Sequence, residues 1–225
     1  REIQDEAVDL GTVHVAVLPT RLSPAVTSAE RIAPEFTRAL DDALELDHWV
    51  GSPLFVEVVP PPVTRRALRT GGVPRGGDLD GPGLRLLLSD LSANVVAIVE
   101  VTDIAPTKSN IDTDIVEIPL DGGGVATTRL EKGRLQYTVR ADVELIDERG
   151  RQIRRTTVSA SAAERYELGI YEGDVRALLL NRRQREHFDP DFIAAQRLAI
   201  QEAAAVELAD DVARRVFDGT LGYAR

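Results

Sequence analysis

An α+β fold is what this sequence predicts: a mixed sheet of about five strands, helices on one face and a C-terminal helix lying across it. Three observations lead there. Leu135, Tyr137, Val139, Ala141, Val143 and Leu145 alternate without a break with Gln136, Thr138, Arg140, Asp142 and Glu144. Strict period-two alternation is the pattern of a strand with one buried and one wet face. Upstream, Val13–Pro19, Leu54–Pro60 and Val95–Val101 are apolar almost throughout, as strands covered on both faces are. From Asp189 onward the periodicity turns helical, with Leu198, Ala205, Leu208, Val212 and Val216 on one face.

Taken in order, Arg1–Leu10 is polar and acidic and reads as a lead-in, bounded at about residue 12. The Val13–Pro19 strand is followed by a helix that starts at the capping-box pattern Thr27-x-x-Glu30 or at Pro34. Ile32, Phe36, Leu40, Ala43 and Leu44 make its stripe. Gly51-Ser52-Pro53 leads into the second strand, and Pro60-Pro61-Pro62 ends it, with a short helix Val63–Arg69 after it. Residues 71–83, rich in glycine and proline, read as a mobile surface loop. A helix Leu84–Leu91 leads to the third strand.

Asp147-Glu148-Arg149-Gly150 turns the alternating strand into a second one, Gln152–Ser161, completing a long amphipathic hairpin. Two insertions interrupt the scheme: residues 104–133, turning at Gly122-Gly123-Gly124, and residues 164–187. Asp189-Pro190 opens the last helix and Gly219 reads as its stop. One domain over residues 1–225 is expected, a size that fits a single core.

Composition narrows the function classes. The chain is 43% hydrophobic, enough for a real core, and no run reaches the roughly 18–20 apolar residues of a membrane helix. A formal charge of −10 argues against binding nucleic acid through bulk electrostatics. Without cysteine, neither a disulfide framework nor a thiolate metal site exists. Without methionine, and opening at Arg1, the chain reads as a processed or shortened product, a removed export signal being one explanation. Of 27 basic residues only Lys108 and Lys132 are lysine, a bias that points to a GC-rich bacterial genome.

The first strand reads Val15-Ala16-Val17-Leu18-Pro19, the third carries Ala93-Asn94-Val95-Val96-Ala97-Ile98-Val99-Glu100, and the hairpin holds Val143-Glu144-Leu145-Ile146-Asp147 running through Arg149-Gly150 to Ile153. In this order of elements the chain resembles the periplasmic lipoprotein family that includes the curli-secretion channel subunit CsgG, the penicillin-binding-protein activator LpoB and the N-terminal domain of TolB. The resemblance spans Val13 to Phe217 and rests on fold-level motifs. It implies a non-enzymatic, exported envelope protein, periplasmic and outer-membrane-associated, serving secretion, motility or envelope biogenesis and possessing the capacity to form rings. Protein partners in the envelope, a homo-oligomer and contact with the inner leaflet of the outer membrane follow from the same likeness. A CsgG-like secretion pore and an LpoB-like synthase activator are the alternatives.

The chain departs from that family in lacking the lipid-modified cysteine of a mature N-terminus. The first insertion also fails the test for a membrane strand, which needs about 9–11 residues with one apolar face. From Ile111 to Leu120 one face presents Ile111, Thr113, Ile115, Glu117 and Pro119, the other Asp112, Asp114, Val116, Ile118 and Leu120. The insertions therefore read as soluble arms that contact a partner.

No catalytic, cofactor or metal site is expected. His14, His48 and His187 lack ligand spacing, and His14 suits a packed or rim position. Asn110-x-Asp112-x-Asp114 echoes a calcium loop, but Ile115 and Asp121 stand where such a loop needs glycine and glutamate. The glycine clusters lack the Gly-Lys-Ser/Thr ending of a phosphate loop. Asp41-Asp42 and Asp210-Asp211 suit solvated helix faces. The one local candidate is the partner contact formed by Arg176, Leu178, Leu179, Leu180, Arg182, Arg183 and Arg185, three leucines beside an arginine cluster. The same leucines suit an intramolecular helix packed on the core.

Overall fold

A computed structural model describes residues 12–26, 32–45, 56–71 and 81–224. The strands are β1 (Val13–Val17), β2 (Arg21–Leu22), β3 (Val56–Val59), β4 (Val95–Pro119), β5 (Val125–Asp147) and β6 (Gln152–Ile170). The helices are α1 (Ile32–Glu45), α2 (Pro61–Thr70), α3 (Gly81–Asp90), α4 (Arg182–Phe188) and α5 (Pro190–Ala224), with a 3-10 turn at Val175–Ala177. The lead-in 1–11, the Thr27–Glu30 capping pattern, His48, the Gly51–Pro53 stop and residues 72–80 of the glycine-rich stretch lie outside the described residues.

The sheet runs β3-β1-β4-β5-β6. β1 is parallel to both β3 and β4, and β2 continues beside β4 after a break at Leu18–Thr20. β4, β5 and β6 are antiparallel. The change of direction explains the two kinds of strand seen in the sequence. In the parallel part Val15, Val17, Val95 and Ala97 face α1 and α5, while Ala16, Leu18 and Val96 face Leu84, Leu87 and Leu88 of α3. Helices thus cover both faces there, correcting the one-face arrangement read from the sequence. Continuous apolar strands require it, because every second residue would otherwise meet water.

In the antiparallel part only one face is covered. Leu135 through Leu145 at alternate positions are buried under α5, whose Ile200, Ala204, Leu208, Val212 and Val216 recur every fourth residue. Each such aliphatic burial is worth about 1.5–3 kcal/mol before side-chain ordering is counted. Alanines at 204, 205, 209 and 213 let the helix approach closely. Gly219 does not stop α5, which runs on to Ala224. A Cβ there would come within 2.4 Å of Leu145 Cδ1, so the glycine serves close approach to the sheet.

The span 104–133 is built as the outer half of the β4–β5 hairpin itself, and residues 164–170 extend β6 alongside it. A three-stranded ribbon results, which turns at Gly122–Gly124 with Gly123 and Gly124 at φ +85° and +90°. Cross-strand partners share a face, so the registers give the ribbon two distinct sides. Odd-numbered residues of β5 lie under α5 as far as Leu135. Near the turn the buried residues are Ala126 and Thr128, of opposite parity. The sheltered side therefore switches along the ribbon, next to a bulge between Ser109 and Asp112 where Asn110 takes φ +53°. From Pro106 to Ile115 every residue is exposed.

Candidate partner-contact site

Beyond Ile170 the chain leaves β6, crosses the ribbon and reaches the far edge of β4. Asp174 starts the 3-10 turn, its carboxylate accepting the Arg176 N–H at 2.9 Å. Leu178 then bridges Leu120, with Leu179 N–H donating to the Pro119 carbonyl at 2.8 Å and Asp121 N–H to that of Ala177 at 2.9 Å. Asn181 opens α4 through a reciprocal capping box with Gln184, at 2.9 and 3.0 Å. At its end Phe188 lies flat over Gly169, where any Cβ would meet the ring at 2.6 Å.

This path divides the seven residues singled out in the sequence. They do not form one amphipathic helix: Arg176 is in the 3-10 turn, Leu178–Leu180 are extended and the other three arginines are on α4. Leu178, 6% exposed, packs with Ile118 and Ala126, and Leu180 joins that cluster with Tyr171, Val175 and Phe188. Leu179 points the other way and is 54% exposed. Arg176, Arg182, Arg183 and Arg185 are exposed, and Arg185 Nε donates to the Leu180 carbonyl at 3.2 Å. Extended backbone sends neighbouring side chains to opposite sides, so two leucines anchor the segment and one is presented.

The presented side continues into an open groove of about 410 Å³ lined by Ile115, Thr127, Arg129, Ile170, Tyr171 and Glu172. Ile115 and Val125 are among the most exposed aliphatic residues described. Reading the sequence alone missed them as a surface, since their grouping depends on which side of the ribbon Leu178 covers.

Ion pairs hold the ribbon. Lys132 Nζ lies 2.6 Å from Asp114, which raises the ammonium pKa above its ordinary value. The calcium-like acidic residues are thus partly neutralised, and no group of three or more histidines or carboxylates converges among the described residues. His14 is half-exposed beside Glu57 at 3.5 Å, and His187 Nε2 is 3.1 Å from Glu167. Asp41 pairs with Arg65 and Asp211 with Arg214, ordinary helix-surface partners.

No family model and no curated protein matches this chain. Among solved structures it is similar to lipoprotein GNA1162 from Neisseria meningitidis, at 15% identity and a TM-score of 0.41 over 68% of this chain and 84% of that one. It is similar to protein CT253 from Chlamydia trachomatis at 13% identity and a TM-score of 0.41, covering 94% and 99%. The LpoB C-terminal domain from Salmonella enterica matches at 12% identity and a TM-score of 0.31, covering 66% and 82%. At this distance none of them sets what the present chain does. No described helix is long and apolar enough to cross a membrane, which says nothing of strands.

Proposed function

We propose that this protein is a non-enzymatic structural component of a bacterial envelope assembly. It is exported to the periplasm, associates with the outer membrane, acts as one domain over residues 1–225 and self-associates. The observation that carries the reading is the distal end of the ribbon. There Leu178 and Ile118 hold an apolar base, Leu179 is exposed beside it, and arginines 176, 182, 183 and 185 are exposed along the same segment. An exposed aliphatic residue next to a seated apolar base, with exposed arginines along the same segment, suits a protein docking surface. The family-like order of strands in the sequence supports the envelope setting. The Lys132–Asp114 pair and exposed Asp112 on the ribbon favour water around it, and so an arm over a secretion pore.

The test is a photo-crosslinking residue at Leu179 in the tagged protein, expressed in its own bacterium and followed by fractionation. Recovery in the envelope fraction, crosslinked to envelope proteins, is the expected result. Recovery in the cytoplasm without crosslinks overturns the assignment, and capture of a cell-wall synthase selects the activator form of it.

A further inference from the structure

The two free edges of the ribbon are protected very differently. The outer edge of β4 carries Pro106, Lys108, Asp112, Asp114 and two bulges, the devices that keep an open strand from pairing with another chain. β6, the terminal strand of the sheet, has none of them along Thr156–Ala163. Those eight residues, Thr-Thr-Val-Ser-Ala-Ser-Ala-Ala, hold no charge, proline or glycine, and no described strand pairs with their outer side. Gln196 Nε2 donates to the Arg165 carbonyl at 3.0 Å and closes the far end.

Charges flank this stretch asymmetrically, Arg154 before it and Glu164 after it. Both are exposed, and among the described residues neither has an ion-pair partner. We propose that β6 is a self-association edge, on which a second copy of this chain pairs its own β6 antiparallel about a two-fold axis through Ser159. In that register Arg154 of each copy faces Glu164 of the other, twice over, and Thr157 faces Ser161. Moving the axis to Ala160 sets Arg155 against Arg165, and moving it to Val158 sets Arg154 against Ala162, so the charges select the register. An isologous contact of this kind closes on itself and uses up the exposed edge. The contact rests on the self-association proposed above and is independent of the envelope assignment.

The test uses the intact chain. Light scattering across a concentration series should give a dimer of twice the 24.5 kDa chain mass. Arg154→Glu and Glu164→Arg should each raise the dimer Kd at least tenfold, and the double exchange should restore it. Because the chain has no cysteine, Ser159→Cys should oxidise to a covalent dimer, while Thr138→Cys on β5 should not. Circular dichroism confirms that each variant is folded. A dimer indifferent to the charge exchange and not crosslinked through position 159 overturns this interface while leaving self-association intact. A monomer at every concentration removes both, and leaves the envelope role to its own test.

Discussion

Tyr166 on β6 donates its hydroxyl to Glu131 Oε1 on β5 at 2.7 Å, and the same oxygen takes the Lys108 ammonium of β4 at 2.6 Å. The ammonium also stands 5.0 Å from the tyrosine ring centroid. Three strands are thus tied by one carboxylate beside the bulge where the ribbon changes its sheltered side. Gly133, the cross-strand partner of Tyr166, lets the ring lie flat, since a Cβ there would sit 3.0 Å from it. Lys108 holds the Glu131 carboxyl below its ordinary range, and burial together with Glu131 pushes the Tyr166 hydroxyl up. Replacing Tyr166 with Phe should destabilise the fold by about 1–2 kcal/mol, because a bond to a charged group is lost. Urea titration measures it, and an unchanged midpoint would show that the clamp is ornamental.

Acid should loosen the protein through the same kind of group. Burial pushes the Asp147 carboxyl up, but the N–H groups of Arg151 and Arg149 and the Arg151 guanidinium outweigh it and hold the pKa down. Asp142, bonded to Arg155 and Thr157, and Glu131 are lowered as well. A carboxylate with a depressed folded pKa contributes stability above its unfolded value, and that contribution disappears as pH falls through the folded one. Stability should hold near neutrality and decline below about pH 4. Asp147→Asn should flatten that decline in a series of thermal melts.

Gly169→Ala should dislodge α4. The added methyl would overlap the Phe188 ring at 2.6 Å, and such overpacking costs about 1–3 kcal/mol. Faster proteolysis between residues 175 and 190 is the expected signature, relieved in the double variant with Phe188→Ala. No relief would mean that the glycine acts through the backbone instead.

Gly219→Ala sets two effects against each other. Alanine gains about 1 kcal/mol of helix propensity, yet its methyl would press on Leu145, which is 1% exposed and locked in the core. Overpacking should win, with a net loss that Leu145→Val partly recovers in denaturant melts.

Adjacent leucines should separate contact from stability. Leu178→Ala removes a buried side chain and should cost about 2–3 kcal/mol, whereas Leu179→Ala should stay within about 0.5 kcal/mol. Partner capture should fall with Leu179→Ala at unchanged melting temperature. If both variants melt alike, the anchoring role of Leu178 is mistaken.

Local periodicity carried much of this architecture. Alternation from Leu135 to Leu145 belongs to one strand with one covered side, and the almost wholly apolar run at Val95–Val101 belongs to one covered on both. Both patterns report the average surroundings of a strand, which a sequence records residue by residue. Ile111 to Leu120 shows where that stops. Neither side of the segment is uniformly apolar, because its shelter comes from Leu178, Tyr171 and Phe188, more than fifty positions away. The three leucines at 178–180 were legible as apolar, and only the bridge between Leu120 and Leu178 decided which of them is buried. Gly219 reads locally like a helix stop, and the nearness of Leu145 makes it a contact residue instead. Composition and period thus determined the kinds of element and their order. Which side each presents was left to long-range packing, since burial belongs to pairs of segments and is written in neither alone.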